Sequence, residues 1–193
     1  MCIRDSYITE HLDEPDRYQT VYAEHPGSAA APTAGLHLTE KVFAELTDRG
    51  VGTARVELVV GLDTFRPVTA HDLDDHHMHS ERYRVPTETS EQIARTKADG
   101  GAVVAVGTTT ARALESAARS GPAGATELFI RDPFDFRSVD KLLTNFHMPK
   151  STLLVMIDAF VGSRWRELYD VALASDYRFL SFGDAMLLDR RAV

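Results

Sequence analysis

Cysteine is almost absent. Cys2 is the only one in 193 residues, which excludes a disulfide framework and any cysteine-based zinc site. Long apolar runs are missing too: the best, residues 153–161, is short and broken by Asp158, so nothing reads as a signal peptide or a membrane span. The expectation is a cytoplasmic protein with no membrane partner. Nor is there an excess of positive charge. Lys+Arg 21 against Asp+Glu 29 leaves -8, which argues against a generic basic coat for nucleic acid. With 12 Gly and 8 Pro the chain is neither collagen-like nor low-complexity, and it has no internal repeat. What it does have is 44% hydrophobic residues spread along its length, enough for a domain with a genuine core.

The charge is uneven. Residues 1–100 hold 10 Lys+Arg and 18 Asp+Glu, whereas residues 101–193 hold 11 of each. Contact with a polyanion is therefore expected from the second half, where Arg131, Arg137, Lys141, Lys150, Arg164 and Arg166 gather.

Residues 1–16 are polar and aperiodic and read as a leader of doubtful origin. Residues 17–39 form a long loop rich in Pro, Gly and small residues. Thr39 then caps a helix carrying Val42, Phe43 and Leu46 on one face, and Gly50 stops it. Residues 55–60 alternate as a strand. Residues 63–80 form a second polar loop with four of the eight histidines. Thr89 and Gln92 make a capping-box pattern for the next helix. Residues 102–106 are continuously apolar, as in a strand buried on both faces. Gly107 leads into a helix with Ala111, Leu114 and Ala118 aligned, and residues 128–130 read as another short strand. Pro149, Lys150 and Ser151 open a helix with Leu153, Ile157 and Phe160 on one side. Ser163 caps the last, striped by Trp165, Leu168, Tyr169 and Ala172. Strands alternating with helices predict an α/β layer: a sheet of largely parallel strands with flanking helices.

Three places invite chemistry. At Gly107-Thr108-Thr109-Thr110, hydroxyls meet the free amides of a helix start, a corner suited to a carboxylate, phosphate or ribose; the plain alternative is a routine cap. His76, His77 and His79, with Asp74, Asp75 and Glu81 nearby, are metal-ligand types, but their spacing does not fit a helical pair, and loop histidines bonded to backbone are the alternative. His147 and Lys150 flank Pro149 at a helix start, where a proton carrier and a cation meet an anion site; a capped, solvated helix start explains them equally well. Arg112 and Glu115 read by default as an ordinary salt bridge on one helix.

Six blocks in order, RYQTVYAEHPGSAAAPTAGLHLT (17–39), VGLDTFRPV (60–68), MHSERYRVP (78–86), VAVGTTTARALESAA (104–118), TNFHMPKSTLL (144–154) and YRFLSFGDAMLL (177–188), resemble the S-adenosylmethionine:tRNA ribosyltransferase-isomerases of queuosine biosynthesis. Two stretches depart from the family pattern: Asp63 stands where a Gly is usual, and Arg131-Asp132-Pro133-Phe134 replaces a Tyr-Pro-Gly-Tyr-like turn.

The resemblance implies that residues 17–193 are the C-terminal part of an α/β catalytic domain. The N-terminal portion of that domain and a small β-barrel domain are expected to be missing, so the part alone should be inactive. It further implies transfer of the ribosyl group of S-adenosylmethionine to 7-aminomethyl-7-deazaguanine in tRNA, with isomerisation to epoxyqueuosine and release of adenine and methionine. S-adenosylmethionine is then a substrate, and no metal or other cofactor is expected. The implied catalytic residues are His37, His79, Glu81, His147 and Lys150, with acid and base unassigned. Pro32, Gly35, Thr64, Arg66, Gly107, Thr108, Thr109, Arg112 and Asn145 are the implied substrate-binding residues. Two rival classes are compatible with the residues: a metal-dependent hydrolase using the histidine loop, and a non-catalytic RNA-binding remnant.

Overall fold

The computed structural model describes residues 13–24, 27–61 and 72–191. Among these are five α-helices: α1 (Glu40–Asp48), α2 (Thr87–Ala98), α3 (Thr108–Ser120), α4 (Thr152–Val161) and α5 (Trp165–Ala174). Six strands accompany them: β1 (Glu57–Val59), β2 (Glu81–Arg84), β3 (Val104–Val106), β4 (Ala123–Thr126), β5 (Lys141–Asn145) and β6 (Ala185–Asp189).

Helix starts follow local sequence chemistry. Thr39 accepts a hydrogen bond from the Val42 amide and opens α1, while Ser151 does the same for Leu154 and opens α4. Two expected caps are not used. Thr89 lies inside α2, which begins after Pro86, and its hydroxyl donates to the Arg55 carbonyl at 2.7 Å. Ser163 sits in a short 3-10 turn, Gly162–Arg164, that precedes α5. The aromatic stripe of α5 packs as its spacing predicts, Trp165 edge-on to Tyr169 at 5.4 Å.

The strands form two three-stranded sheets rather than one, and this corrects the expectation of largely parallel strands. One sheet, ordered β1-β2-β4, is antiparallel throughout; in the other, β3-β5-β6, only β3 and β5 run parallel. The alternation of strand and helix is real, but the connections β2–α2–β3 and β3–α3–β4 each carry the chain from one sheet to the other. The crossover rule constrains direction only when both strands belong to the same sheet. Residues 128–130 form no strand; residues 123–126 do. The run at residues 102–106 is not buried on both faces, because β3 is a sheet edge and Val104 is 46% exposed.

Helix α3 lies between the sheets and touches strands of both. Six consecutive residues, Ala111 to Ser116, are buried, so the helix has no solvent face over that stretch. Its buried polar groups tie the layers together. Ser116 hydrogen-bonds Thr126 of β4 at 2.6 Å, and Glu115 binds the loop ahead of β5. Ala105, Val139, Leu142, Ile157 and Phe160 form the centre of the core, with Phe136 edge-on to Phe160 at 4.9 Å. Among the described residues no helix is long and apolar enough to cross a membrane.

Candidate active site

Because β3 and β5 are parallel and adjacent, their C-terminal ends open on the same side, and the helices that follow both start there. Such an edge is where open α/β layers bind ligands. At the end of β3, the Gly107 amide extends the ladder to the Leu143 carbonyl at 2.8 Å, then the chain turns with φ 92° into α3, a conformation only glycine adopts freely. At the end of β5, the chain passes through Phe146 and His147 to Lys150, held at φ 58°, and into α4. A 3-10 helix, Thr33–His37, lies across β5. Together these segments and Val60, Leu180 and Ser181 line a solvent-open cleft.

Pro32, Gly107, Thr108, Thr109, Asn145, His147 and Lys150 line this cleft, so seven of the expected site residues meet there. Only two of the three threonine hydroxyls face it: Thr110 donates back to the Val106 carbonyl at 2.7 Å. Asn145 is buried and acts as a hub. Its side-chain nitrogen donates to the carbonyls of Gly183 and Asp184 and lies 3.2 Å from His37 Nε2, while its oxygen accepts from Thr33. The two carbonyls fix the amide orientation, with its nitrogen turned toward His37 Nε2. His37 itself is exposed at the edge of the cleft. Gly35 does not line it; a Cβ there would overlap the Tyr22 hydroxyl. Thr64 and Arg66, with Asp63, lie outside the described residues.

His79, Glu81 and Arg112 gather elsewhere. Glu81 on β2 is fully buried, ion-paired with Arg112 of α3 and 3.0 Å from His79 Nε2. Arg112 thus pairs across to a strand rather than with Glu115 one turn along its own helix. Glu115 instead pairs with Arg119 and accepts three backbone amides. Arg112 also lines a smaller, mostly apolar hollow with Met78, Phe129 and Met156, which shares Thr108, Thr109 and Leu153 with the main cleft. Burial lowers the Arg112 guanidinium to about 10, which leaves it charged at neutral pH. The loop histidines diverge: His76 packs against Phe129 at 5.3 Å and His79 turns to Glu81. Among the described residues no group of three His, Cys, Asp or Glu is arranged to hold a metal.

His147 has a displaced protonation equilibrium. Protein packed around its ring removes the water a charged imidazole needs and lowers it to about 4. It is therefore neutral at pH 7, with Nε2 2.9 Å from the buried Thr144 hydroxyl. Its backbone amide donates to the Tyr169 hydroxyl at 2.8 Å, and burial raises that phenol to about 12.

Leu180 and Ser181 had no assigned role in the sequence, although they lie within the block at residues 177–188. The available signal was Gly183: a Cβ there would stand 2.3 Å from the Arg178 carbonyl oxygen and 2.5 Å from Phe179 backbone. Only glycine permits this loop to fold back and present its carbonyl to Asn145. Gly183→Ala is expected to lose about 1–3 kcal/mol in urea unfolding. Gly52→Ala, whose Cβ would meet only the movable end of Gln92, should stay within about 0.5 kcal/mol. Equal effects of the two would remove this reading of the loop.

Most of the expected basic surface is neutralised. Arg131 pairs with Asp74, Arg137 with Asp135, Lys141 with Asp189 and Arg166 with Asp158. Lys150 and Arg164 pair with no carboxylate among the described residues.

Residues 1–188 match the profile of a family described as queuosine biosynthesis protein. An S-adenosylmethionine:tRNA ribosyltransferase-isomerase of Azoarcus sp. (strain BH72) is 58% identical over 191 residues, which is 95% of this chain and 55% of the relative. One of the same name from Acaryochloris marina is 52% identical over 97% of this chain and 52% of its own length. A crystal structure of an S-adenosylmethionine tRNA ribosyltransferase from Thermotoga maritima aligns at a TM-score of 0.67 with 44% identity, over 80% of this chain and 51% of that one. The chain spans about half the length of the curated relatives it matches.

Proposed function

Because the chain belongs to the queuosine biosynthesis protein family, we propose that its cleft is the S-adenosylmethionine site of a tRNA ribosyltransferase-isomerase. In this reading the ribosyl group passes to the aminomethyl nitrogen of 7-aminomethyl-7-deazaguanine in tRNA and is isomerised to an epoxycyclopentanediol. Adenine and methionine leave. No metal or redox cofactor takes part.

The observation that carries the reading is the convergence of Pro32, the Gly107–Thr109 corner and the Asn145–Lys150 segment on one cleft. The reaction begins with loss of a proton beside the sulfonium and needs a proton for departing adenine. Among the described residues, His147, neutral and half-buried, and His37, set by Asn145, are the imidazoles at the cleft and its edge. Thr108 and Thr109 supply hydroxyls for the ribose. Glu81, fully enclosed, acts through Arg112 and His79 and does not touch substrate. Of the basic residues gathered in the second half, Lys150 and Arg164 are exposed and pair with no carboxylate among the described residues, and in this reading they meet tRNA phosphates.

The test is a chimaera in which this chain replaces the matching segment of the Azoarcus relative. With S-adenosylmethionine and tRNA carrying the modified base, it should release adenine and add the epoxycyclopentanediol mass to the tRNA nucleoside. A folded chimaera that binds tRNA yet releases no adenine would refute the proposal.

A further inference from the structure

Residues 146–151 join β5 to α4 without regular structure, so the backbone of His147 has neither a ladder nor a helix to hold it. Its far side is tied locally: the Ser151 hydroxyl donates to the Met148 carbonyl at 2.7 Å and caps α4. At His147 itself one side chain meets both backbone polar groups. The His147 amide donates to the Tyr169 hydroxyl at 2.8 Å, and that hydroxyl donates to the His147 carbonyl at 3.4 Å. A single oxygen thus serves as acceptor and donor to the same residue. Burial pushes the phenol up to about 12, so it stays protonated and keeps both roles at neutral pH.

The hydroxyl is in turn fixed by its ring. Tyr169 lies on α5 and is 8% exposed; it meets Phe146, Trp165 and Phe179 edge-on, with centroids 5.3, 5.4 and 5.6 Å apart. Such contacts set the direction of a ring as well as burying it. Trp165 is anchored by its Nε1, which donates to Asp158 of α4 at 2.6 Å. Neither Tyr169 nor Trp165 lines the cleft.

We propose that Tyr169 is a positioning residue: from α5, outside the cleft, its hydroxyl fixes the backbone of His147 and so the direction in which that imidazole enters the cleft. The inference rests on the functional reading above in taking His147 as a proton carrier. Both bonds go to main chain, so Tyr169 sets where the ring sits without occupying a ring nitrogen. A reacting group displaced by about 1 Å forfeits on the order of 10²-fold in rate.

The test begins with this chain and its Tyr169→Phe and Tyr177→Phe variants, each checked by thermal melting. Tyr169→Phe keeps the ring and removes only the two bonds. Tyr177, 47% exposed, also packs its ring on Phe146 and serves as the control. Hydrogen exchange followed by NMR should find the wild-type His147 amide protected about tenfold or more over the Met148 amide, which bonds no described residue. That protection should vanish in Tyr169→Phe, with a shift of the His147 imidazole nitrogen resonances, and persist in Tyr177→Phe. Rates are measured in the chimaera with the Azoarcus relative. Tyr169→Phe should lower kcat for adenine release about 10–100-fold and leave KM for S-adenosylmethionine within about twofold, whereas Tyr177→Phe should leave both within about twofold. Equal exchange at residues 147 and 148 in the wild type overturns the proposal. So does a rate loss in Tyr169→Phe no larger than that in Tyr177→Phe, or a raised KM at unchanged kcat. If Tyr169→Phe does not fold, the wild-type exchange comparison decides. A chimaera inactive with Tyr169 in place would refute the functional reading, while exchange and imidazole resonances would still decide whether Tyr169 holds His147.

Discussion

Glu115→Ala is expected to destabilise the folded chain by about 4 kcal/mol or more, enough to unfold a typical domain of marginal stability. Glu115 is 0% exposed. One carboxylate oxygen accepts the amides of Ser138 and Val139 at 2.8 and 3.0 Å. The other accepts the Arg137 amide at 3.0 Å and the Arg119 guanidinium at 2.6 Å. Hydrogen bonds to a charged group contribute about 1.5–3 kcal/mol each. Alanine removes all four and strands the amide of Val139, itself fully buried. The loop so anchored delivers Phe136 and Val139 to the core and leads directly into β5, which carries Asn145. Glu115→Gln retains one acceptor oxygen but turns an NH2 group toward donors, so its loss should be intermediate. Urea unfolding of the three proteins decides it: a loss below about 1 kcal/mol for alanine would mean that water replaces the carboxylate.

Glu115 also shows where sequence reasoning stops. Spaced three from Arg112 on one helix, it reads as a partner of that arginine, because the sequence displays only local neighbours. The true partner of Arg112 is Glu81, on β2, and Glu115 holds Arg119 one turn further along its helix together with three amides more than twenty residues away. Features governed by adjacent residues were legible: Thr39 as a cap, the helix start at residues 149–151, Gly107 as a turn, the faces of α4 and α5. Strand direction was not, since register depends on which sheet each connection returns to. β5 and β6 were missed for a related reason. Residues 141–145 alternate over too few positions to stand out, and residues 185–189 are an edge strand with Leu187 exposed. The cleft itself was largely readable because its walls are loops with unusual chemistry, Pro, Gly, Thr and His, whose roles do not depend on register. Glu81 was legible as important but not as buried.

The second large effect concerns His147, in the Azoarcus relative at the position matching this residue. His147→Gln should lower the rate of adenine release by about 10²–10⁴-fold, the usual contribution of a positioned proton carrier. Glutamine reaches the Thr144 hydroxyl that the imidazole Nε2 holds at 2.9 Å, and the bond from the residue 147 amide to Tyr169 is backbone and survives. Stability at pH 7 should therefore change by less than about 1 kcal/mol, whereas His147→Ala also deprives buried Thr144 of its partner and should lose more. The pH dependence separates the two roles further. The folded-state value near 4 lies below the ordinary 6.5, so the stabilising contribution is complete above pH 6.5. Between 6.5 and 4 the unfolded chain binds a proton that the folded chain refuses, and stability falls, by about 1–3 kcal/mol in all. Glutamine should flatten that fall. The wild-type rate should show no limb near pH 6.5 from this residue, because His147 is already neutral there. Parallel losses of stability and rate in His147→Gln would reduce His147 to a helix-start support, and a stability curve unchanged by glutamine between pH 4 and 6.5 would show that its ring is solvated in the folded chain.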